Sequence, residues 1–210
     1  MNLENYCWWF QSAIPPRICD DIVKYGLKHE EGLAITGGLG HDRDLKTQPL
    51  NKKEIKDLKK KRDSNIVWMN DRWIYKEIQP YINQANEKAG WNFHWDWSES
   101  CQFTKYKPGQ YYDWHCDSWD GVYQQKGPTK GKIRKLSVTV SLSDEKDYSG
   151  GELEFQFRNL DNPKASRVCK EILPKGSVVV FPSFVWHRVK PVKKGVRYSL
   201  VGWNLGYPFK

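Results

Sequence analysis

Leu136-Ser137-Val138-Thr139-Val140-Ser141-Leu142-Ser143 alternates an aliphatic residue with a small polar one over eight positions. Successive side chains of a strand point to opposite faces, so a period of two predicts a β-strand that buries one face. The pattern recurs on both sides. Leu153, Phe155 and Phe157 alternate with Glu152, Glu154 and Gln156, and Phe93, Trp95 and Trp97 alternate with polar neighbours. Further strand candidates are 168–172, 177–181, 186–189 and 197–205, with Gly or Pro between most of them.

Upstream the period changes. Ile14-Pro15-Pro16 followed by Ile18, Ile22, Val23 and Tyr25 predicts a helix with proline in its first turn, ended by Gly26. From Asp71, the residues Ile74, Ile78, Tyr81, Ile82, Ala85 and Ala89 fit a period of 3.6 closed by Gly90. Pro80 lies inside that pattern and predicts a kink or a late start. A Gly-rich loop at 36–40 and a basic stretch at 52–62 separate the two helices. Helices followed by a run of short strands predict a mainly β fold, a sandwich or jelly roll with helices packed outside one sheet. No repeat, low-complexity run or linker is visible, so residues 1–210 are expected to form one domain, with a helical part over about 1–90 and a β core over about 91–210.

Composition narrows the function. Eleven Trp, 11 Tyr and 8 Phe are a heavier aromatic load than disordered chains carry. The longest aliphatic run, Val178 to Phe181, is far short of a membrane span, and Met1 to Asn5 lacks a basic region followed by an apolar core. A cytoplasmic protein with no membrane contact is expected. The five cysteines (Cys7, Cys19, Cys101, Cys116 and Cys169) are odd in number and form no Cys-x-x-Cys pair, which predicts reduced thiols rather than a disulfide framework or zinc knuckle. The net charge of +9 raises the question of an anionic partner, and the stretch Lys52 to Arg62 carries much of it. That stretch reads as a solvated helix face or loop, or as a dock for something acidic.

Two of the five histidines begin a His-x-Asp triplet, His94-Trp95-Asp96 and His115-Cys116-Asp117, where chance predicts about 0.3 copies. The triplet sets two metal-capable side chains on one face of an extended segment, and Cys116 on the other. A second histidine elsewhere would complete the two-His, one-carboxylate set of a nonheme Fe(II) site with open positions. His94 sits within an alternating aromatic strand and reads as structural. His115 follows Tyr106-Lys107-Pro108-Gly109-Gln110-Tyr111-Tyr112-Asp113-Trp114, and downstream come Gly150-Gly151-Glu152-Leu153-Glu154-Phe155 and the segment from His187 through Pro191 and Gly195 to Arg197.

With those three pieces in order, residues from about Cys101 to Trp203 resemble the 2-oxoglutarate- and Fe(II)-dependent oxygenases, in particular the prolyl 4-hydroxylase-like group. The resemblance implies a double-stranded β-helix with helices outside its larger sheet. It implies His115, Asp117 and His187 as iron ligands and Arg197 as the partner of the distal carboxylate of 2-oxoglutarate. The planar fork of an arginine suits a carboxylate. Ser199 and Tyr106 match positions that reach the same carboxylate, while Tyr112 and Trp203 fit motif positions and an aromatic core equally well. The implied cofactors are Fe(II), 2-oxoglutarate and O2, with ascorbate as a candidate reductant, and the implied substrate is a prolyl residue of a peptide or protein. Three alternatives stand beside it: a nucleic-acid demethylase of the alkylation-repair type, a hydroxylase of a small free substrate, and a non-catalytic binding module built on the Trp91–Trp97 cluster. Alkylation-repair enzymes carry a second arginine shortly after the first, and Ser199 to Lys210 holds none.

Overall fold

A computed structural model describes residues 4–35, 48–118, 121–156 and 165–209. In chain order the elements are β1 (Trp8–Phe10), α1 (Pro16–Leu27), β2 (Gly32–Leu33), α2 (Lys52–Lys61), β3 (Arg62–Asp63), β4 (Asn65–Met69), α3 (Arg72–Lys88), β5 (Trp97–Ser98), β6 (Cys101–Tyr106), β7 (Tyr111–His115) and β8 (Ile133–Ser141). There follow β9 (Tyr148–Gly150), β10 (Leu153–Gln156), β11 (Ser166–Val168), β12 (Val178–Pro182), β13 (His187–Val189), β14 (Val192–Gly195) and β15 (Arg197–Gly206). The larger sheet runs β1-β12-β8-β15-β6-β4-β2, with β5 also on β15, and the smaller runs β11-β10-β13-β7-β3. All the pairings are antiparallel. This is the mainly β, double-stranded β-helix architecture expected from the sequence.

The alternation in β8 explains the layering. Leu136, Val138, Val140 and Leu142 join Ile22, Ile74, Ile78 and Ile82 in one core, so α1 and α3 lie on the outer face of the larger sheet. β12 divides the same way: Val178 and Val180 face the helices, whereas Val179 and Phe181 join Leu153, Phe155 and Val189 between the sheets. The polar half of the β8 pattern is not solvated. Ser137, Thr139 and Ser141 are buried, and they face the interior of the β-helix.

Several local expectations change. Gly26 does not end α1, which continues to Leu27. A Cβ at Gly26 would come within 2.6 Å of the Phe103 ring, so the glycine is there to let helix and sheet approach. Pro80 lies inside α3 without delaying its start at Arg72. Phe93 and Trp95 are not in a strand. Asn92 has a φ of 52°, and the Asn86 side chain brackets the backbone of Phe93, accepting from its N–H and donating to its carbonyl at 2.9 Å each. Those local bonds replace a sheet ladder. The stretch 168–172 leaves the sheet after Val168 and becomes a 3-10 turn. The first ninety residues, expected to be helical, also contribute β1, β2 and β4 to the larger sheet and β3 to the smaller. The Gly-rich loop, His41 and Phe157 lie outside the described residues.

Candidate metal centre

His115 ends β7 and His187 begins β13, and the two stand opposite each other in register across adjacent antiparallel strands. Asp117 lies just beyond β7, where its own N–H and that of Ser118 donate to the Ser183 carbonyl at 2.8 and 2.9 Å. One ligand atom from each of His115, Asp117 and His187 lies within 4.8 Å of the others, the one such cluster of three among the described residues. The His115 Nε2 is 3.8 Å from Asp117 Oδ1 and the His187 Nε2 is 3.6 Å from Asp117 Oδ2.

The ring nitrogens that point away from the cluster are held by backbone. His115 Nδ1 is 2.7 Å from the Asp113 carbonyl and His187 Nδ1 is 2.9 Å from the Val185 carbonyl. An Nδ1–H donated to a carbonyl leaves the lone pair on Nε2, turned towards the carboxylate. Burial, and then the neighbouring His187, push the His115 pKa well below the ordinary histidine range, which keeps its ring neutral. Burial alone would raise the pKa of Asp117, but the two histidines, Arg134 and a 2.7 Å hydrogen bond from Ser137 Oγ outweigh it and hold the carboxyl below its usual value. Two imidazoles and one carboxylate, oriented from behind, make a donor set that fits Fe(II).

Arg197 begins β15 opposite Tyr106 of β6. It is 2% exposed, its Nη1 donates to Ser199 Oγ at 3.3 Å, and no carboxylate among the described residues pairs with it. Gly151, at a φ of +67°, makes room for it, since a Cβ there would sit 2.9 Å from Arg197 Cδ. Arg197, Ser199, Tyr106 and the three metal-capable residues all line one cavity of about 1210 Å³. An unpaired, buried guanidinium beside a serine hydroxyl and a tyrosine is a ready carboxylate site.

The other triplet takes no part. His94 is exposed, and Asp96 pairs with Lys132 at 2.7 Å. Trp91 and Phe93 are buried in the helix-side core. The aromatic residues that do line the cavity are Trp68, Trp114, Trp186 and Trp203, with Tyr106, Tyr112 and Tyr123. Tyr112 stacks on the His115 ring at 3.4 Å, and burial pushes its hydroxyl up to about 12. The Trp203 Nε1 is a buried donor with no partner among the described residues. Cys116, expected to point away, instead lines the cavity, because β7 and its alternation stop at His115.

Two cavity arginines escaped the sequence reading. Arg62 closes the basic stretch yet is buried. By the alternation of β8, Arg134 should face the helices with Leu136. The β8–β15 ladder is irregular here: Leu136 pairs with Asn204, and Leu205 pairs with Arg134, so one extra residue is accommodated in β8. This bulge re-aims Arg134 into the cavity. There it forms a two-pronged pair with Glu99, with Nε to Oε1 at 2.9 Å, and stacks over Trp203 at 4.0 Å.

The family model of the 2OG-Fe(II) oxygenase superfamily matches residues 101–204. A PKHD-type hydroxylase of Synechococcus sp. (strain CC9902) is 37% identical over 108 residues, which is 51% of this chain and 42% of that protein. A PKHD-type hydroxylase of Pseudomonas fluorescens is 39% identical over 99 residues, 47% of this chain and 40% of that protein. The matched region thus spans about two-fifths of the length of these relatives. The fold is similar to that of the viral collagen prolyl hydroxylase from Paramecium Bursaria Chlorella virus-1, solved as a 2OG complex, with a TM-score of 0.62 at 18% identity over 97% of both chains. It is also similar to a prolyl hydroxylase from Trichoplax adhaerens, solved with a hypoxia inducible factor peptide fragment, with a TM-score of 0.64 at 16% identity over 96% of this chain and 84% of that one.

Proposed function

Because the chain belongs to the 2OG-Fe(II) oxygenase superfamily, we propose that it is a dioxygenase that hydroxylates an unactivated C–H bond of a prolyl residue in a peptide or protein. The observation that carries the reading is the opening of the His115–Asp117–His187 cluster and the unpaired Arg197 into the same cavity. In this reading the cluster holds Fe(II), and Arg197, with Ser199 and Tyr106, holds the distal carboxylate of 2-oxoglutarate. The metal and cosubstrate, when bound, supply the oxidising power that removes hydrogen from carbon. The chain's part is placement. Ser137 and the two backbone carbonyls orient the ligand side chains. The aromatic residues Trp68, Trp114, Trp186 and Trp203 give the cavity flat apolar walls. A pyrrolidine ring is rigid and apolar, and it loses little entropy against such walls. The relatives solved as prolyl hydroxylases support the choice of target.

The test is turnover with Fe(II) and 2-oxoglutarate over a panel of prolyl peptides, free amino acids and methylated oligonucleotides. Prolyl peptides are expected to stimulate succinate formation and gain one oxygen, about 16 Da by mass. Demethylation of a nucleobase with no action on any prolyl peptide would remove the prolyl assignment and leave the metal and cosubstrate roles standing.

A further inference from the structure

The cavity holds one more cation than the chemistry just described uses. Arg62 is 4% exposed. Its Nε donates to Ser64 Oγ at 2.9 Å and its Nη1 to Gln102 Oε1 at 3.4 Å, both neutral acceptors. The guanidinium lies 4.4 Å from the centre of the Tyr112 ring, the same ring that stacks on His115. No carboxylate among the described residues pairs with Arg62, and its Nη2 has no hydrogen-bond partner there. Arg134 shares the cavity but is neutralised by Glu99. A buried arginine without a counter-ion is costly, and the fold tolerates the cost only where something else supplies the anion.

The cavity's charges set the charge that anion must carry. Of the charged groups lining the cavity, Lys61 and Asp113 are exposed and opposite in sign, and Arg134 cancels Glu99. The buried remainder is Arg62 and Arg197 against Asp117. Adding a divalent metal and a dicarboxylate cosubstrate leaves one positive charge unanswered, and Arg197 is already committed to the cosubstrate. Arg62 continues directly from α2, where Lys52, Lys53, Lys56 and Lys61 are exposed without a carboxylate partner among the described residues, and of these Lys61 lines the cavity. Such a face raises the local concentration of an anionic ligand.

We propose that Arg62 binds a carboxylate of the primary substrate, one carried close to the carbon that is hydroxylated. The inference rests on the reading that the cavity holds the metal and 2-oxoglutarate. The carboxylate has two sources, an acidic side chain flanking the target residue in a peptide or the terminal carboxylate of the target residue itself. Arg62 is then a specificity residue, and the neutral Ser64 and Gln102 hold its fork in place for the incoming anion.

The experiment compares acid and amide pairs. Peptides with Glu or Gln beside an internal proline, peptides ending in proline as free acid or amide, and matching pairs without proline are titrated against protein loaded with Mn(II) and 2-oxoglutarate. Binding is read as quenching of tryptophan fluorescence, and kcat/KM is measured in parallel with Fe(II). The acid member of at least one pair is expected to bind about 10- to 100-fold more tightly, the range for one charge-assisted hydrogen-bonded contact. Arg62→Gln should bring that ratio close to one, and Arg62→Lys should keep part of it, while half-saturation by 2-oxoglutarate moves less than twofold. The pair that shows the preference identifies the source of the carboxylate. Equal binding of acid and amide by the unaltered protein overturns the proposal even if Arg62→Gln fails to fold. A rise in the 2-oxoglutarate requirement of Arg62→Gln with the acid preference intact also overturns it, by moving Arg62 to the cosubstrate. If only pairs without proline respond, the prolyl reading fails and the acid-to-amide ratio still decides the role of Arg62.

Discussion

The Ser137 hydroxyl donates to the Asp117 carboxylate at 2.7 Å and lies 2.9 Å from the Ser183 hydroxyl, so a β8 side chain fixes a group that lies just beyond β7. Ser137 is fully buried, and it occupies the polar half of the alternation that builds the sheet. Its loss would leave Asp117 freer to rotate and raise its basicity. Partners of this kind typically account for a 10- to 100-fold change in metal affinity. Ser137→Ala is therefore expected to weaken Mn(II) binding by about that factor with little change in the fold, read by calorimetric titration and circular dichroism. An unchanged affinity would show that Asp117 is held well enough by its backbone alone.

Arg197 offers a sharper test of the cosubstrate assignment. Lysine would retain the charge and lose the planar fork, whereas alanine would lose both. The concentration of 2-oxoglutarate at half-maximal decarboxylation should rise for Arg197→Lys and rise further for Arg197→Ala. Loss of one charged hydrogen-bonded contact is worth about 1.5–3 kcal/mol, roughly 10- to 100-fold in affinity. Equal values for Arg197→Ala and the unaltered protein would take Arg197 out of the site.

What was legible in the sequence was whatever depends on period and order. The alternation at 136–143 predicts a sheet with one face packed, and that face meets Ile22, Ile74, Ile78 and Ile82 of the helices. The grouping of His115, Asp117 and His187 rests on motif order and appears as one cluster. Arg62 was hidden because it ends a run of exposed lysines, and only the fold shows that it is buried. Arg134 was hidden because a one-residue bulge reverses its side, and no local residue announces the bulge. The strand expected around His94 failed because Asn86, seven residues from Phe93, satisfies the Phe93 backbone, a pairing that composition does not reveal.

The two His-x-Asp triplets can be separated by experiment. His94 is exposed and Asp96 is engaged with Lys132, whereas His115 is stacked on Tyr112 and anchored to Asp113. His94→Ala should leave Mn(II) affinity within about twofold of the unaltered protein, and His115→Ala should abolish measurable binding. The reverse result would transfer the metal site to the first triplet.

The Glu99–Arg134 pair predicts a stability effect. Its side chains are 16% and 13% exposed, and the Tyr123 hydroxyl adds a 2.6 Å bond to the same carboxylate. Removing one partner leaves a mostly buried charge without its counter-ion. Glu99→Gln is expected to cost about 2–3 kcal/mol in urea unfolding, at or below the lower end of the range for buried pairs because some solvent reaches this one. The double variant Glu99→Gln with Arg134→Met should recover part of that loss, since it removes the orphaned charge.

The metal-free protein is expected to lose stability on acidification. His115 is held neutral in the folded state, chiefly by burial, with its pKa well below the 6.5 of a free histidine. Above that value both states carry a neutral ring and the residue contributes nothing to the pH dependence. As pH falls below 6.5 the unfolded chain takes up a proton that the folded chain refuses, so stability falls. One such group gives a limiting slope of about 1.4 kcal/mol per pH unit. Asp117 works at lower pH, because its depressed pKa stabilises the fold above the ordinary carboxylate range and that contribution is lost on further acidification. Urea unfolding of the metal-free protein between pH 7.5 and 5 should therefore show a decline that His115→Asn flattens by up to one proton. Parallel profiles for the two proteins would mean that His115 takes up its proton in the folded state, so that its neutrality is not built into the metal-free fold.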